Sequence, residues 1–313
     1  MAARGRRSAA RSVRHCLVDK STIHIVAPFA RGGATDLVTR LYADALAKRL
    51  GVAVEITNEP GDGGTKGAAR VARAAPDGRM LVMGSSSTHG ICSAVFSNLP
   101  YDWRRDFAPI APLVLAPNVL VVSSASGIRS VGDLIARART EPGKLTFGSA
   151  GYGQTIHLCG ELFRALAGID IVHAPRIGSA VALEELAAGG VTLMFDSILS
   201  ALPYIRSGAL RALAVTTARR LPQLPDVPSM SEAGVPGYDV NVWIGLFARA
   251  GTPPAEVERL AAATRYILRE PDIRERLEAM GAEVPEQTSA EFAQFISNEA
   301  DKWSNVVERS LPA

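Results

Sequence analysis

The sequence is poor in the residues that build metal centres and disulfide frameworks. Its three cysteines, Cys16, Cys92 and Cys159, stand far apart, and no CxxC pair occurs. Such spacing provides neither a zinc knuckle nor a set of crosslinks. We therefore expect isolated, mostly buried thiols. No metal site and no cofactor is predicted.

Long apolar runs and an overall excess of charge are also missing. No stretch of 18 apolar residues occurs, so a membrane-spanning helix is not expected. The net charge of +3 comes from residues 1–20, which carry six basic residues against Asp19, and the rest of the chain has a charge of −2. A nearly neutral body lacks the clustered Lys and Arg that bind phosphates, so no nucleic-acid partner is predicted.

The N-terminus is basic without being a complete export signal. Residues 1–21 are predicted to be a disordered basic leader, although such a tail could also touch RNA or a membrane. Arg6 and Arg7 resemble the start of a secretory signal, but no apolar stretch or small-residue cleavage site follows them. As written, the chain would not be exported by a standard signal, and its location would be cytoplasmic if this start is correct. A start codon placed too early or too late would explain the same pattern.

What the sequence does contain is an alternation of short apolar strands and helices. Strands are expected at residues 22–27, 52–57 and 80–83, with helices between them, and a similar alternation restarts after a strand at 119–122. This pattern predicts parallel sheets covered by helices. A proline-rich link at 221–228 is followed by a strand at 240–247 and three helices. We expect one lobe from residues 22–118 plus 238–313 and a second lobe from residues 119–237.

Four loops follow predicted strands, which is where open α/β sheets bind ligands. They span residues 28–36, 85–88, 149–157 and 195–197. The first and third contain paired glycines before a helix, so each helix start is predicted to aim free N–H groups at one shared cleft. Two such starts can hold a carboxylate without a buried arginine, each contributing about 0.3–1 kcal/mol. For Asp36 and Asp196 the sequence allows either a ligand role or a helix-capping role.

Catalytic motifs do not fit the sequence. Phe147 occupies the place of the first glycine in a nucleophile elbow around Ser149. The glycine-rich run at 61–67 matches neither the dinucleotide-binding nor the P-loop spacing. His157 and Glu161 have helical i, i+4 spacing, but no further ligand stands near them in sequence. We predict that the protein is not an enzyme.

An ordered set of short motifs resembles the Bug-type receptors, the solute-binding proteins of tripartite tricarboxylate transporters. The similarity begins with IVAPF and a following GGxxD, and it extends over roughly residues 22–309. Further motifs are NxPGxGG at 58–64, APDG at 75–78, LPYD at 99–102, PGKL at 142–145, MFD at 194–196 and LPDVP at 224–228.

The resemblance implies a type II periplasmic-binding-protein fold, in which two α/β lobes joined by a hinge close on a small carboxylate. Matching the motifs position by position gives the expected ligand-binding residues. They are Phe29, Gly32, Gly33, Asp36, Ser86, Ser87, Ser149, Gly151, Gly153, Thr155 and Asp196.

The resemblance also implies a function and a partner. We expect a periplasmic receptor that delivers its carboxylate to the membrane subunits of a tripartite transporter, with a hinge near residues 118 and 237. A soluble sensor or scavenger without a transporter, and an enzyme acting in the same cleft, are the alternatives. Arg31 and Arg176 depart from the usual motifs, and each is either a clamp for a second carboxylate or a surface arginine.

Overall fold

The computed structural model describes residues 22–310, apart from the side chains at 306, 309 and 310. The predicted leader and Cys16 lie outside the described residues. The first part of the fold alternates as expected, with the β-branched strand β1 followed by a glycine-bearing loop and a long helix. Its elements are β1 (Ile23–Ala27), α1 (Ala34–Leu50), β2 (Val54–Asn58), α2 (Thr65–Ala72), β3 (Met80–Ser85) and α3 (Cys92–Val95), with a π-helical turn at Ser87–Ile91.

The remaining elements continue the alternation and end in helices. They are β4 (Phe107–Ser123), α4 (Val131–Thr140), β5 (Thr146–Ser149), α5 (Thr155–Ala167), β6 (Val172–Pro175), α6 (Ser179–Ala187), β7 (Leu193–Ser197), α7 (Ile198–Arg206), β8 (Leu210–Val215), β9 (Asn241–Arg249), α8 (Pro254–Arg269), α9 (Pro271–Ala279) and α10 (Ser289–Ser310). The three predicted C-terminal helices are confirmed.

The strands form two sheet regions joined through β4. In the first, β2, β1 and β3 are parallel, and β9 runs antiparallel between β3 and β4. In the second, β6, β5 and β7 are parallel, and β4 runs antiparallel to both β7 and β8. The expected parallel blocks are present at β1–β3 and at β5–β7, and antiparallel strands that the sequence pattern did not predict join them. Among the described strands, β9 runs opposite to its neighbours β3 and β4 in the first region, and β4 runs opposite to its neighbours β7 and β8 in the second.

Strand β4 is much longer than the sequence pattern indicated. It pairs with β9 as far as Pro117 and with β7 and β8 from Asn118 onward, so a single strand passes from one sheet region to the other. The prolines at 109, 112 and 117 obscured its first half, because proline cannot donate a ladder hydrogen bond. The register shifts next to Pro109 and Pro112, which accommodates these residues as bulges.

Helix α10 contacts both sheet regions. Near its start Phe292 packs edge-on against Trp243 of β9, with ring centroids 5.6 Å apart. Near its end Trp303 is buried in the apolar cluster that contains Phe163 of α5 and Phe195 of β7. The last helix thus packs against both sheet regions.

Two further features concern residues 22–310, the described part of the chain. Within that part of the chain, no helix has an apolar stretch long enough to cross a membrane. In the same range, no three His, Cys, Asp or Glu side chains are grouped closely enough to hold a metal ion.

Candidate functional site

A cavity of about 380 Å³ lies at the strand ends between the two sheet regions. Its wall combines loops on both sides of β4, which is the arrangement predicted from the two glycine-bearing helix starts. Gly33, before α1, and Gly151, before α5, both line it. The four predicted loops contribute to the wall, together with residues 60–63 and 177–179, which the sequence analysis had not assigned to the site. Arg176, which it left open as a clamp or a surface arginine, also lines the cavity.

The loop before α1 is held from behind by a buried carboxylate. Asp36 accepts the Gly32 N–H at 2.9 Å, the Asn58 amide at 2.8 Å and the Arg40 guanidinium at 2.9 Å. Burial opposes ionisation, but these hydrogen bonds outweigh it and lower the pKa of Asp36. Of the residues predicted here, Phe29 and Gly33 line the cavity, whereas Gly32 and Asp36 do not. Asp36 thus holds the loop through the Gly32 N–H, while the N-cap residue of α1, Gly33, has no side-chain cap.

Three serines lie at the end of β3 and just after it; one has a structural contact, and two line the cavity. Ser86 Oγ accepts the backbone N–H of Trp243 at 3.0 Å and does not line the cavity. Ser87 lines it, and its hydroxyl accepts the Thr155 N–H at 3.1 Å. Ser85 was not predicted to be a ligand residue, yet it also lines the cavity, and its buried hydroxyl has no partner.

The loop before α5 is held by neutral groups. Ser149 Oγ accepts the Gly151 N–H at 3.1 Å and is 2.6 Å from His173 Nε2. Gly153 donates its N–H to His157 Nδ1 at 3.3 Å. Gly151 and Thr155 line the cavity, while Ser149 and Gly153 support it from behind. His157 thus has a structural contact with this loop.

The two histidines stack on each other beneath this loop. The ring centroids of His157 and His173 are 4.0 Å apart. Burial lowers the pKa of His173 to about 4, with a further contribution from His157. Because Nδ1 of His157 accepts the Gly153 N–H, its ring proton lies on Nε2, which is 3.6 Å from Glu161 Oε1. His157 and Glu161, which the sequence places at i and i+4, therefore contact each other within α5.

Asp196, at the end of β7, lines the cavity while its side chain is 0% exposed. Its carboxylate accepts the hydroxyl of Ser179, at the start of α6, at 2.5 Å, and the hydroxyl of Ser200, in α7, at 3.0 Å. Burial raises the pKa of Asp196 to about 6 despite these bonds. Through these two hydrogen bonds Asp196 links the start of α6 to the first turn of α7. The cap of α7 itself is Ser197, whose Oγ accepts the Leu199 N–H at 3.4 Å.

The segment before α6 is a third helix start that the sequence analysis missed. Gly178, Ser179 and Arg176 all line the cavity. The signal was present, since a glycine and a serine precede a helical run, but the preceding strand β6 is short and partly exposed. The Arg176 guanidinium forms hydrogen bonds to both carboxylate oxygens of Glu185. Arg31 is exposed and does not line the cavity.

Asn118 is a further wall residue that sequence reasoning missed. It is 0% exposed and lies where β4 changes partners. Its amide nitrogen donates to Cys159 Sγ at 3.2 Å, and its amide oxygen has no partner. An asparagine within a continuous apolar strand is the one signal that could have marked it.

The two sides of the cavity touch across its rim. A Cβ on Gly153 would lie 2.6 Å from the ring of Phe96, and a Cβ on Gly178 would lie 2.7 Å from Ala30 Cβ. Ser87 and Thr155 also share a hydroxyl–hydroxyl hydrogen bond of 3.0 Å. The positive φ of both glycines, 74° and 102°, further disfavours any side chain there. The close approach of the two sides therefore needs glycine at both positions.

A family match and a curated relative point to the same family. Residues 38–311 match the family described as tripartite tricarboxylate transporter family receptor. Protein BugT of Bordetella pertussis is 32% identical over 289 residues, covering 92% of this chain and 89% of BugT.

Two solved structures cover nearly the whole fold. R. palustris Rpa4515 with adipate is 34% identical, with a TM-score of 0.90 over 92% of this chain and 97% of that one. MatC (Rpa3494) from Rhodopseudomonas palustris with bound malate is 38% identical, with a TM-score of 0.88 over 91% of this chain and 98% of that one. The predicted two-lobed α/β fold of the periplasmic-binding-protein type is confirmed.

Proposed function

We propose that this chain, which belongs to the tripartite tricarboxylate transporter receptor family, captures a small carboxylate between its lobes and delivers it to the membrane subunits of such a transporter. The family match confirms the resemblance that the sequence motifs indicated. The observation that carries the proposal is the cavity itself, whose wall joins helix starts from both sides of β4. Rpa4515 and MatC, which share the fold, hold adipate and malate.

Helix starts suit an anion because their first N–H groups have no partner within the helix. Gly33 precedes α1, Thr155 begins α5 and Ser179 begins α6, and all three line the cavity. We propose that the ligand-binding set consists of the predicted residues that line this wall, with the others supporting it. The lining members are Phe29, Gly33, Ser87, Gly151, Thr155 and Asp196. The supporting members are Gly32, Asp36, Ser86, Ser149 and Gly153.

Lobe closure is the proposed action, with lobe boundaries near residues 118 and 237. Support comes from Thr216, which is 0% exposed and bonded to both chain crossings. Its Oγ1 accepts the Asn118 N–H at 2.9 Å and donates to the Val240 carbonyl at 2.7 Å. The two crossings therefore lie side by side, so rotation about them would open the cavity without breaking either sheet.

A screen by thermal shift tests carboxylate capture. Mono-, di- and tricarboxylates, amino acids and nicotinate-like acids would be added to the purified chain, with the corresponding amides as controls. A ligand at 100 times its Kd adds about 2.7 kcal/mol to the free energy of unfolding, which raises the melting temperature measurably. A chain that responds to no carboxylate would contradict the proposal. Mass spectrometry of the recovered ligand separates binding from turnover, because a receptor leaves the acid unchanged.

Location distinguishes delivery to a transporter from the sensor or scavenger alternative. We propose a periplasmic receptor, on the basis of the family. Fractionation of the native host, followed by detection of the chain in periplasmic and cytosolic extracts, tests this. A chain confined to the cytosol would contradict delivery while leaving carboxylate capture in place.

A further inference from the structure

We propose that the floor of the cavity holds a hydroxyl-binding subsite, formed by Asn118 and Ser85, and that this subsite favours carboxylates with a hydroxyl on their carbon chain. The preference rests on the proposed function, since it presumes that the cavity captures a carboxylate. It concerns the body of the ligand and applies alike to acids with one carboxylate and to acids with several.

Three neighbouring strands form the floor of the cavity. Strand β9 lies between β3 and β4 and pairs with both of them. Its Val242 and Ile244 line the cavity, together with Ser85 at the end of β3 and Asn118 of β4. The floor is therefore an apolar strip with one polar side chain from the strand on either side.

Both polar side chains have a buried atom without a partner. Ser85 Oγ and Asn118 Oδ1 belong to the cavity wall, and neither forms a hydrogen bond within the described part of the chain. The two residues are 3% and 0% exposed. Because buried polar groups are normally hydrogen-bonded, these two atoms indicate that a polar group of a ligand occupies the floor.

The other polar groups of Asn118 are all engaged. Its backbone N–H donates to Thr216 Oγ1 at 2.9 Å, and its carbonyl accepts the Thr216 N–H at 3.0 Å. Its amide nitrogen donates to Cys159 Sγ at 3.2 Å. These contacts fix the residue where β4 passes from one sheet region to the other, and Oδ1 remains as an acceptor that the chain does not use.

The hydroxyl of Ser85 is not needed for the turn that follows β3. The Ser85 backbone N–H donates to Thr88 Oγ1 at 3.0 Å, and the Ser85 carbonyl accepts the same hydroxyl at 3.3 Å. Thr88 thus closes the turn, and Ser85 Oγ stays available to the cavity. This oxygen both donates and accepts hydrogen bonds.

A hydroxyl is the ligand group that suits both atoms. It donates to the Asn118 oxygen, and it donates to or accepts from the Ser85 oxygen. An ammonium group has no acceptor, and its burial costs more, because neither atom carries a charge to offset the lost hydration. The carbon chain of the acid would lie on Val242 and Ile244, which contribute apolar contact only.

Acids that differ by one hydroxyl test the preference. Isothermal titration of the full chain would compare malate with succinate, and 2- and 3-hydroxybutyrate with butyrate. We expect the tighter hydroxy acid of each set to bind at least about fivefold more tightly than its parent, which corresponds to about 1 kcal/mol, the net gain of one hydrogen bond. Equal affinities would overturn the subsite, because water would then serve both atoms. If no acid of either kind binds, the proposed function itself fails.

Aspartate tests the choice of a hydroxyl over an amine, since it carries an ammonium where malate carries a hydroxyl. We expect aspartate to bind more weakly than malate in the same titration. Tighter binding of aspartate would overturn the assignment of a neutral donor to the floor.

Two single variants locate the contact. Ser85→Ala removes a hydroxyl without a partner in the chain, so the melting temperature should be unchanged. Asn118→Leu keeps a similar side-chain volume and gives up only the side-chain contact with Cys159. We expect the preference for the hydroxy acid to vanish in the variant that lacks the contacted atom. If Asn118→Leu does not fold, Ser85→Ala and the acid pairs still decide.

Ser123→Ala is the matched control for these variants. Ser123 is a buried residue of β4 that does not line the cavity, and its hydroxyl donates to the Ala187 carbonyl at 3.2 Å. This variant should keep the ratio of hydroxy acid to parent acid affinity. A preference that survives in both Ser85→Ala and Asn118→Leu would contradict the subsite.

Discussion

The loops before α1 and α5 have similar sequences but are stabilised in different ways. Each has two glycines ahead of a helix start at the same cavity. The first is fixed by the ionised Asp36, which binds Gly32, Arg40 and Asn58. The second is fixed by a serine and two stacked histidines. A carboxylate supports the first helix start from behind, whereas the second keeps its positive end for an external anion.

This difference teaches that a glycine-rich loop before a helix does not by itself define an anion site. Whether the loop can bind an anion depends on which groups already interact with the start of the helix. In the first loop the acidic partner belongs to the chain, and in the second the nearest partner is the neutral hydroxyl of Ser87. Substitutions that change the support of one loop and not the other test this distinction.

The largest effect is expected from Asp36→Ala. The substitution leaves the Gly32 N–H, the Asn58 amide and the Arg40 guanidinium without their acceptor. We expect the free energy of unfolding to fall by about 3 kcal/mol, measured by urea denaturation. Asp44→Ala, in the same helix and exposed, is the control. A loss no larger than that of the control would show that Asp36 does not hold the loop.

Asp196→Asn should have a smaller, pH-dependent effect on stability. The ordinary pKa of aspartate is 3.8, and burial raises the pKa of Asp196 to about 6. The folded chain therefore binds more protons than the unfolded chain between these pH values, and the charged form destabilises the fold above about pH 6. We expect the variant to be more stable than the wild type at pH 7.5 by about 2 kcal/mol.

Repeating the comparison at pH 4 tests the sign of this pH dependence. The stability difference between Asp196→Asn and the wild type should shrink as the pH falls from 6 to 4, because Asp196 becomes neutral. His173, whose pKa is lowered to about 4, has the opposite slope in both proteins and cancels in the difference. A difference that is constant from pH 4 to 7.5 would contradict the assignment.

Ser149→Ala should affect ligand binding more than stability. It removes the acceptor of the Gly151 N–H and the partner of His173, and we expect a loss of about 1 kcal/mol of stability. Because the loop before α5 then loses its support, affinity for the best carboxylate should fall several-fold. Ser126→Ala, in a surface turn, is the control. Binding equal to the wild type would place the anion elsewhere in the cavity.

The smallest effect is expected from Arg176→Gln. Its guanidinium is committed to Glu185, so we expect the affinity for monocarboxylates to remain unchanged by titration. A large loss of affinity, confined to dicarboxylates, would indicate that the arginine leaves Glu185 and acts as a clamp after all.

Much of the architecture could be predicted from local sequence patterns. The strand predicted at residues 22–27 forms at Ile23–Ala27, because its run of apolar, largely β-branched residues ends at a proline. Strand β4 was underestimated, because prolines in its first half hide a strand whose bulges depend on pairing with β9. The antiparallel course of β9 likewise depends on where the chain returns, which no local pattern reports.

The site was predicted in part. Local motifs place Phe29, Gly33 and Thr155 at strand and helix boundaries, and these residues do line the cavity. Asn118 and Ser179 were missed, because their relevance depends on partners far away in sequence, namely Cys159 and Asp196. Motifs identify a loop, but they do not say which of its atoms face the ligand.

The sequence by itself determined the α/β elements, the glycine turns before the helices and the absence of a catalytic motif, since these depend on neighbouring residues and on steric limits of the backbone. Only the tertiary structure decided how charge is distributed around the cavity. It pairs Arg176 with Glu185, shields Asp196 from solvent and leaves the start of α5 to a neutral hydroxyl. Burial and ion pairing depend on distances between segments that are remote in the chain, and the charge of a residue type does not specify them.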